Sequence, residues 1–452
     1  MRTHALTLSL LLALAGLTRA DDTPAKVTRA DLARSYQRFE RLRGAAGQLA
    51  PERLAQLNRA FDRATVAFFG GNGGAALRQI DALSDELCQD AILDAQRYAL
   101  RADPPRWVRG QAPQARLVAL YPPSADARDV SLTLVVHGPG EQVARRRLVA
   151  AAAPAHALDG AALAQLPVGN YWVGLALGSG AEVEVGRFSV LARSLDELRA
   201  ELSRELEAAP PSPSREVARG RLVLLTDRPS VDDTAQLLVD PFALVRELRA
   251  EVEALKAGRD PYRARSGDWW RTFATGKSEV RARVIAPSKQ QAPLPLVVAL
   301  HGAGGDENMF RFGYGAGALA KLAEERGVLV VTPRSEQILR DPTAFAAILR
   351  EAARLYPVDP ERVYLLGHSM GSATAGQVLS RHPREIAGTV LFAGTAGKSE
   401  LPIRALRGAL DPFGFGARGG ERVPNYGHTL LVGDLLPDAL DWLLARKRPA
   451  WF

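Results

Sequence analysis

Apolar residues recur three or four positions apart through much of the first hundred residues. Leu32, Tyr36, Phe39 and Leu42 form one series, Leu54, Leu57 and Phe61 a second, and Leu77, Ile80, Leu83 and Leu87 a third. This spacing predicts three amphipathic helices between Asp31 and Leu100. Pro51 suits a first helical turn, and Gly70-Gly71-Asn72-Gly73-Gly74 separates the second helix from the third. The glycine cluster is a helix break and not a phosphate loop, because no strand precedes it and no Lys-Ser or Lys-Thr follows. Prolines between Asp103 and Pro113 then mark a change of texture. Short β-prone runs over 116–121, 130–136, 147–151, 171–177 and 182–191 predict a small antiparallel, immunoglobulin-like sandwich. Helical spacing returns after Ser194 and Glu197, a capping-box pair. It breaks at Pro210-Pro211-Ser212-Pro213 and resumes with Val245, Leu248, Val252 and Leu255 up to Gly258.

From about Tyr262 the period switches back and forth. Strands are expected over 280–285, 296–300, 328–332, 362–366, 388–392 and 403–407, and helices over 316–326, 342–355, 370–381 and 434–446. Such alternation predicts an α/β domain with a mostly parallel sheet covered on both faces, and active groups at the carboxyl ends of its strands. The expected organisation is therefore a helical domain over 24–103, a β-sandwich over 112–192, a helical connector over 193–260 and an α/β domain over 262–452. Trp269 and Trp270 are expected to pack the edge of that last domain, and Tyr171 and Trp172 to pack within or at the edge of the sandwich.

Composition changes this picture little. The chain has 452 residues, 47% of them hydrophobic and 24% charged, and a formal net charge of +8 carried almost wholly by arginine. No basic run exceeds Arg145-Arg146-Arg147 or Arg446-Lys447-Arg448, so a nucleic-acid partner is not expected. Residues 1–20 read as an export signal: Arg2 and His4 lead, an apolar stretch follows, and Thr18-Arg19-Ala20 offers small residues at a cleavage site. The expected location is periplasmic or secreted. No second apolar stretch is long enough for a membrane span. The single Cys88 lies in a helical apolar pattern and is expected as a buried thiol.

Candidate chemistry gathers near residue 369. Val363-Tyr364-Leu365-Leu366 is β-prone, and Gly367-His368-Ser369-Met370-Gly371 then fits G-x-S-x-G, a nucleophile elbow. Serine needs a base to take its proton and a carboxylate to fix that base. Of seven histidines, His4 lies in the leader, His137 and His156 in the β region, His301 and His368 inside motifs, and His382 at the far end of the helix after the elbow. His428 is left as the base. Asp411, after the run over 403–407, is the acid; Asp434 and Asp438 suit the start of the last helix, and Asp359 precedes the elbow strand at its wrong end. A second glycine-rich turn, His301-Gly302-Ala303-Gly304-Gly305, follows a strand, so the amides of Ala303 and Met370 are the expected oxyanion donors. Leu134-Val135-Val136-His137-Gly138-Pro139-Gly140 looks like that turn, but no elbow serine or late histidine follows it at a suitable distance. His137 is therefore read as a strand-end residue.

Leu300 to Asn308 (L-H-G-A-G-G-D-E-N) and Val358 to Gly371 (V-D-P-E-R-V-Y-L-L-G-H-S-M-G) resemble the α/β-hydrolase group that includes polyhydroxybutyrate depolymerase-like, feruloyl-esterase-like and carboxylesterase-like enzymes. The resemblance covers about 262–452 and implies serine ester hydrolysis without a metal or organic cofactor. Ser372 replaces a glycine common after the elbow. The passage from Asp411 to His428 is short for the helix and strand usual there, which reduces the last strand to 421–423. Few residues separate the strands at 392 and 403, a common place for a lid, so an open site suited to bulky or polymeric esters is expected unless the N-terminal regions cover it. Two other readings stand beside the esterase: a serine peptidase of the prolyl-oligopeptidase kind, and a degenerate hydrolase acting as a binding or scaffold protein.

Overall fold

In a computed structural model of the chain, the described residues run from 24 to 448, except 89–91, 126, 128–129, 140–141, 150, 179–180, 231, 235–237, 239, 277, 291–292, 396–399 and 415–419. The expected leader lies outside them. Among the described residues no helix is long and apolar enough to cross a membrane. The three predicted helices are α1 (Arg29–Ala45), α2 (Pro51–Phe69) and α3 (Gly73–Cys88), followed by a single turn, α4 (Leu93–Gln96). Cys88, the last residue of α3, is only half-buried and does not become the enclosed thiol expected.

The chain divides into two compact units. The first takes residues up to Ser35, Asn72–Glu201 and Leu224–Arg246; the second takes Tyr36–Gly71, Leu202–Val223 and Glu247–Phe452. Neither the helical domain over 24–103 nor the connector over 193–260 is therefore a body of its own. The pattern gives the right helices but not their allegiance, because an apolar stripe declares that a face is buried and not what buries it.

In the first unit, β1 (Tyr98–Asp103), β2 (Arg106–Val108), β3 (Gln114–Ala119), β4 (Ser131–His137), β5 (Gln142–Val149) and β6 (Ala155–Leu158) precede α5 (Gly160–Ala164), β7 (Gly169–Leu177) and β8 (Glu182–Leu191). They build a three-stranded sheet, β1-β3-β6, and a five-stranded sheet, β2-β8-β7-β4-β5. Alternate residues from both sheets, Leu100 and Leu117 on one and Leu134, Val173 and Val185 on the other, share one core. The sandwich starts earlier than expected, at Tyr98, and β2 pairs with β8 in parallel, so it is not wholly antiparallel. His137 ends β4, half-exposed, with its ring stacked 3.8 Å from that of Trp172 and its Nε2 2.7 Å from Glu182. Tyr171 is buried in the core.

After α6 (Leu195–Glu207) comes α7 (Pro213–Leu222), where the prolines read as a break instead begin a helix. Ser212 caps it by accepting the Arg215 N–H at 3.1 Å, and Pro213 takes the first helical position. Beyond α8 (Pro241–Lys256), the second unit carries β9 (Gly267–Ala274), β10 (Glu279–Ala286), β11 (Leu294–Leu300), β12 (Leu329–Pro333), β13 (Val358–His368), β14 (Gly388–Phe392), β15 (Ile403–Gly408) and β16 (Glu421–Val423). The sheet order is β16-β15-β14-β13-β11-β12-β10-β9. Six strands are parallel, and the hairpin β9–β10 runs antiparallel at one edge. β9, unforeseen as a strand, carries Trp269 and Trp270, both buried at that edge. Among the described residues the unit also carries the α-helices α9 (Ala318–Arg326), α10 (Ser335–Arg340), α11 (Ala344–Leu355), α12 (Met370–Arg381) and α13 (Leu431–Leu444). β11 has no exposed residue, as a central parallel strand covered on both faces requires.

Candidate active site

Ser369 stands between β13 and α12 with φ 53° and ψ −115°, a conformation that costs energy for any residue with a side chain. The flanking glycines are steric necessities. A Cβ at Gly367 would lie 2.6 Å from the Gly371 carbonyl oxygen, and one at Gly371 2.0 Å from that of Leu300. The Ser369 amide is anchored on Phe392 O at 2.9 Å, and Ser372 Oγ donates to the same carbonyl at 2.9 Å. Ser372 thus ties α12 to β14, where a glycine could not.

The structure brings the three residues expected in catalysis together. His428 Nε2 lies 3.0 Å from Ser369 Oγ, and His428 Nδ1 lies 2.9 Å from Asp411 Oδ2. A carboxylate can only accept, so Nδ1 carries the proton and Nε2 offers its lone pair to the serine. Both side chains are almost wholly enclosed. Asp411 follows β15, and its other oxygen accepts the Phe413 N–H at 2.9 Å, which fixes the carboxylate plane. The last strand is the reduced β16 over 421–423, as expected, and it is enough to bring the chain back to His428.

Met370 N–H lies in the first turn of α12, where amides have no intrahelical acceptor, and Ala303 lies in the exposed turn after β11. Around that turn the side chains are buried and hydrogen-bonded. His301 is buried, with Nδ1 2.9 Å from Gly302 O and Nε2 accepting the Ser335 N–H at 3.0 Å. Burial lowers its pKa, in keeping with a neutral ring bonded to backbone at both nitrogens. Glu307 is fully buried, accepting from Trp270 Nε1 at 2.7 Å and Arg334 Nε at 2.6 Å.

His368, the variable position of the elbow motif, ties the two loops together. Gly302 N–H donates to Tyr314 Oη at 3.3 Å, Tyr314 Oη–H to His368 Nδ1 at 2.6 Å, and His368 Nε2–H to His428 O at 3.0 Å. Burial holds the His368 imidazole well below its ordinary pKa, so it stays a neutral link.

Sequence reading missed two residues altogether. From α2, Asn58 Oδ1 accepts the Gly427 N–H at 2.8 Å, and both oxygens of Asp62 lie 3.1 Å from the His428 amide nitrogen. A Cβ at Gly427 would sit 2.0 Å from Asp62, so glycine is required there. Burial, reinforced by the Asp411 charge, pushes the Asp62 carboxyl up to about 7 against the pull of the His428 amide and ring. The one available signal was that Asn58 and Asp62 lie four apart, immediately beside the apolar stripe of Leu57 and Phe61. Polar residues on a buried helical face need partners. His382 ends α12 against Phe345, away from these groups.

A family model described as serine aminopeptidase, S33, matches residues 313–425, which include Ser369 and Asp411. No curated protein matches the chain. Among solved structures, S-formylglutathione hydrolase from Staphylococcus aureus is 13% identical over 40% of this chain and 97% of its own, with a TM-score of 0.32. A thermostable esterase is 14% identical over 78% and 100%, with a TM-score of 0.37. The feruloyl esterase module from Clostridium thermocellum complexed with sinapinate is 13% identical over 39% and 88%, with a TM-score of 0.31. The sheet order, the elbow and the family match agree on an α/β-hydrolase architecture for the C-terminal part, and esterases are among the solved structures it resembles.

Proposed function

We propose that this chain is an exported serine hydrolase that cleaves carboxylic esters through an acyl-enzyme. The observation that carries the reading is the line Ser369 Oγ, His428 Nε2, His428 Nδ1, Asp411 Oδ2, closed at 3.0 and 2.9 Å on a strained serine. Ser369 Oγ forms a bond to the carbonyl carbon while its proton passes to His428 Nε2, and the carbonyl electron pair moves onto oxygen. The amides of Met370 and Ala303 receive that oxyanion. Its collapse breaks the ester C–O bond, and His428 returns the proton to the departing alkoxide. Water then repeats the sequence against the acyl group and frees the acid and Ser369. Asp411 holds the tautomer and stabilises the imidazolium that forms at each step. Every group in this sequence belongs to the second unit. Export is supported by the charge and apolar pattern of residues 1–20.

The test is a matched substrate set: 4-nitrophenyl esters beside aminoacyl and peptidyl 4-nitroanilides, with Ser369→Ala as the control. Ester hydrolysis that exceeds anilide hydrolysis by several orders of magnitude and vanishes in the variant is expected. Preference for anilides would replace the esterase by a peptidase, the activity in the name of the matching family model. Turnover of neither would favour a binding role.

A further inference from the structure

The last turn of α2 leaves large apolar side chains in solvent. Of the five large hydrophobic residues exposed among the described residues, three lie here: Val66 at 49%, Phe68 at 36% and Phe69 at 48%. Isolated exposed hydrophobics need no explanation, but a cluster beside a reactive group does. Phe68 lies over the turn that carries Ala303, since a Cβ on Gly304 would stand 2.6 Å from Phe68 Cε1. Phe68 meets Phe69 edge-on at 5.3 Å, Phe69 meets Phe413 edge-on at 5.8 Å, and Phe413 meets the ring of His428 edge-on at 4.7 Å. The rings form an unbroken arc from the proposed base to the proposed oxyanion turn, the two groups that flank Ser369.

We propose that Phe68 and Phe69 are specificity-determining residues, forming with Phe413 an apolar subsite for a bulky hydrocarbon portion of the ester. This deepens the esterase reading and rests on it. Three features favour an ester's apolar group as the occupant. The arc is continuous with the reactive groups and ends at both of them. Phe413 follows directly from the turn that sets Asp411. The three phenyl rings are hydrocarbon themselves, which suits an apolar group and discriminates little against its shape. The site is therefore not bare on this side: a segment from the N-terminal hundred residues, belonging to the same compact unit, supplies one wall.

The test compares wild type with Phe68→Ser/Phe69→Ser in the full chain. Both side chains are substantially exposed, so the variant is expected to fold, with an unchanged thermal midpoint as the check. Relative kcat/KM is measured for 4-nitrophenyl acetate and octanoate, which vary the acyl side, and for methyl and benzyl acetate, which vary the alcohol side. The subsite predicts that wild type prefers the bulky member of at least one pair, and that the double variant loses about tenfold or more of that preference while small acetates keep their rate within about threefold. About one methylene-scale contact per ring is enough for a change of that size. An unchanged preference in an active, folded variant would overturn the subsite and leave the esterase standing. Loss of a wild-type dimer in the variant, with selectivity intact, would assign the patch to a second copy of the chain and also overturn it. Hydrolysis of none of these esters by wild type would overturn both readings.

Discussion

Two strands of this molecule end in nearly the same words. β4 leads into Val135-Val136-His137-Gly138, and β11 into Ala299-Leu300-His301-Gly302. At the first, the histidine is half-exposed, stacked on Trp172 and paired with Glu182, and its strand has antiparallel neighbours on both sides. At the second, the histidine is buried with both ring nitrogens bonded to backbone, and its strand lies in parallel between β12 and β13. The difference lies in the neighbours. Parallel pairing puts the carboxyl ends of β11 and β13 side by side, so the glycine turn after one faces the serine after the other. An antiparallel neighbour puts the start of a strand there instead.

The sharpest way to break this contrast is to remove the chemistry that the turn after β11 faces. Ser369→Ala and His428→Ala should each lower kcat by a factor on the order of 10⁴ or more, the usual cost of losing a nucleophile or its base, as read by ester hydrolysis. His137→Ala should leave the rate within twofold.

The next effect is on stability. His301→Ala would leave the Ser335 N–H buried without its acceptor, while the Gly302 carbonyl keeps the Gly305 N–H at 3.1 Å, at a cost of about 1–3 kcal/mol. His137→Ala removes an exposed pair and a ring contact, worth about 1 kcal/mol or less. Urea midpoints of the two variants should separate accordingly, and equal midpoints would mean that the buried bonds to His301 contribute nothing.

Asp62 extends the comparison to the far end of the sheet, where the His428 loop has its own clamp. Asp62→Ala removes the acceptor of the His428 amide, and the resulting displacement of the imidazole should lower kcat by about 10- to 100-fold with little change in KM. Asp62→Asn keeps an acceptor and should restore most of the rate. A smaller effect follows from its proton. With a folded-state pKa pushed up to about 7 from the ordinary 3.8, Asp62 keeps a proton at intermediate pH that the unfolded chain has lost. Its contribution to stability is present below about pH 4 and is lost as pH rises towards 7. Asp62→Asn has no such proton, so the difference in unfolding free energy should move steadily in the variant's favour between those pH values.

These contrasts show what the chain discloses by itself. Most of the α/β region was legible because most of its elements carry a local signal. Gly388–Phe392 and Met370–Arg381 fall where their periodicity places them, and Ser369, Asp411 and His428 converge because their order along the chain matches the order of the strands. The clamp by Asn58 and Asp62 was not legible: their spacing beside Leu57 and Phe61 says only that they need partners, and those partners are backbone amides 369 and 366 residues away. β9 was hidden because Trp269, Trp270 and Phe273 do not alternate with polar residues on a strand buried on both faces. The sandwich boundary was misplaced because Tyr98 to Leu100 follows directly on helical spacing, and three residues cannot distinguish a strand from the end of a helix.

The proposed chemistry requires that Ser369 be a nucleophile activated by His428 and Asp411. The most direct measurement is covalent labelling of the full chain with a fluorophosphonate, located by peptide mass spectrometry, in wild type and in His428→Ala. One label per chain on Ser369 is expected in wild type, with labelling slowed by at least a thousandfold in the variant. A folded wild type that takes no label, or a His428→Ala variant labelled at the wild-type rate, would contradict it.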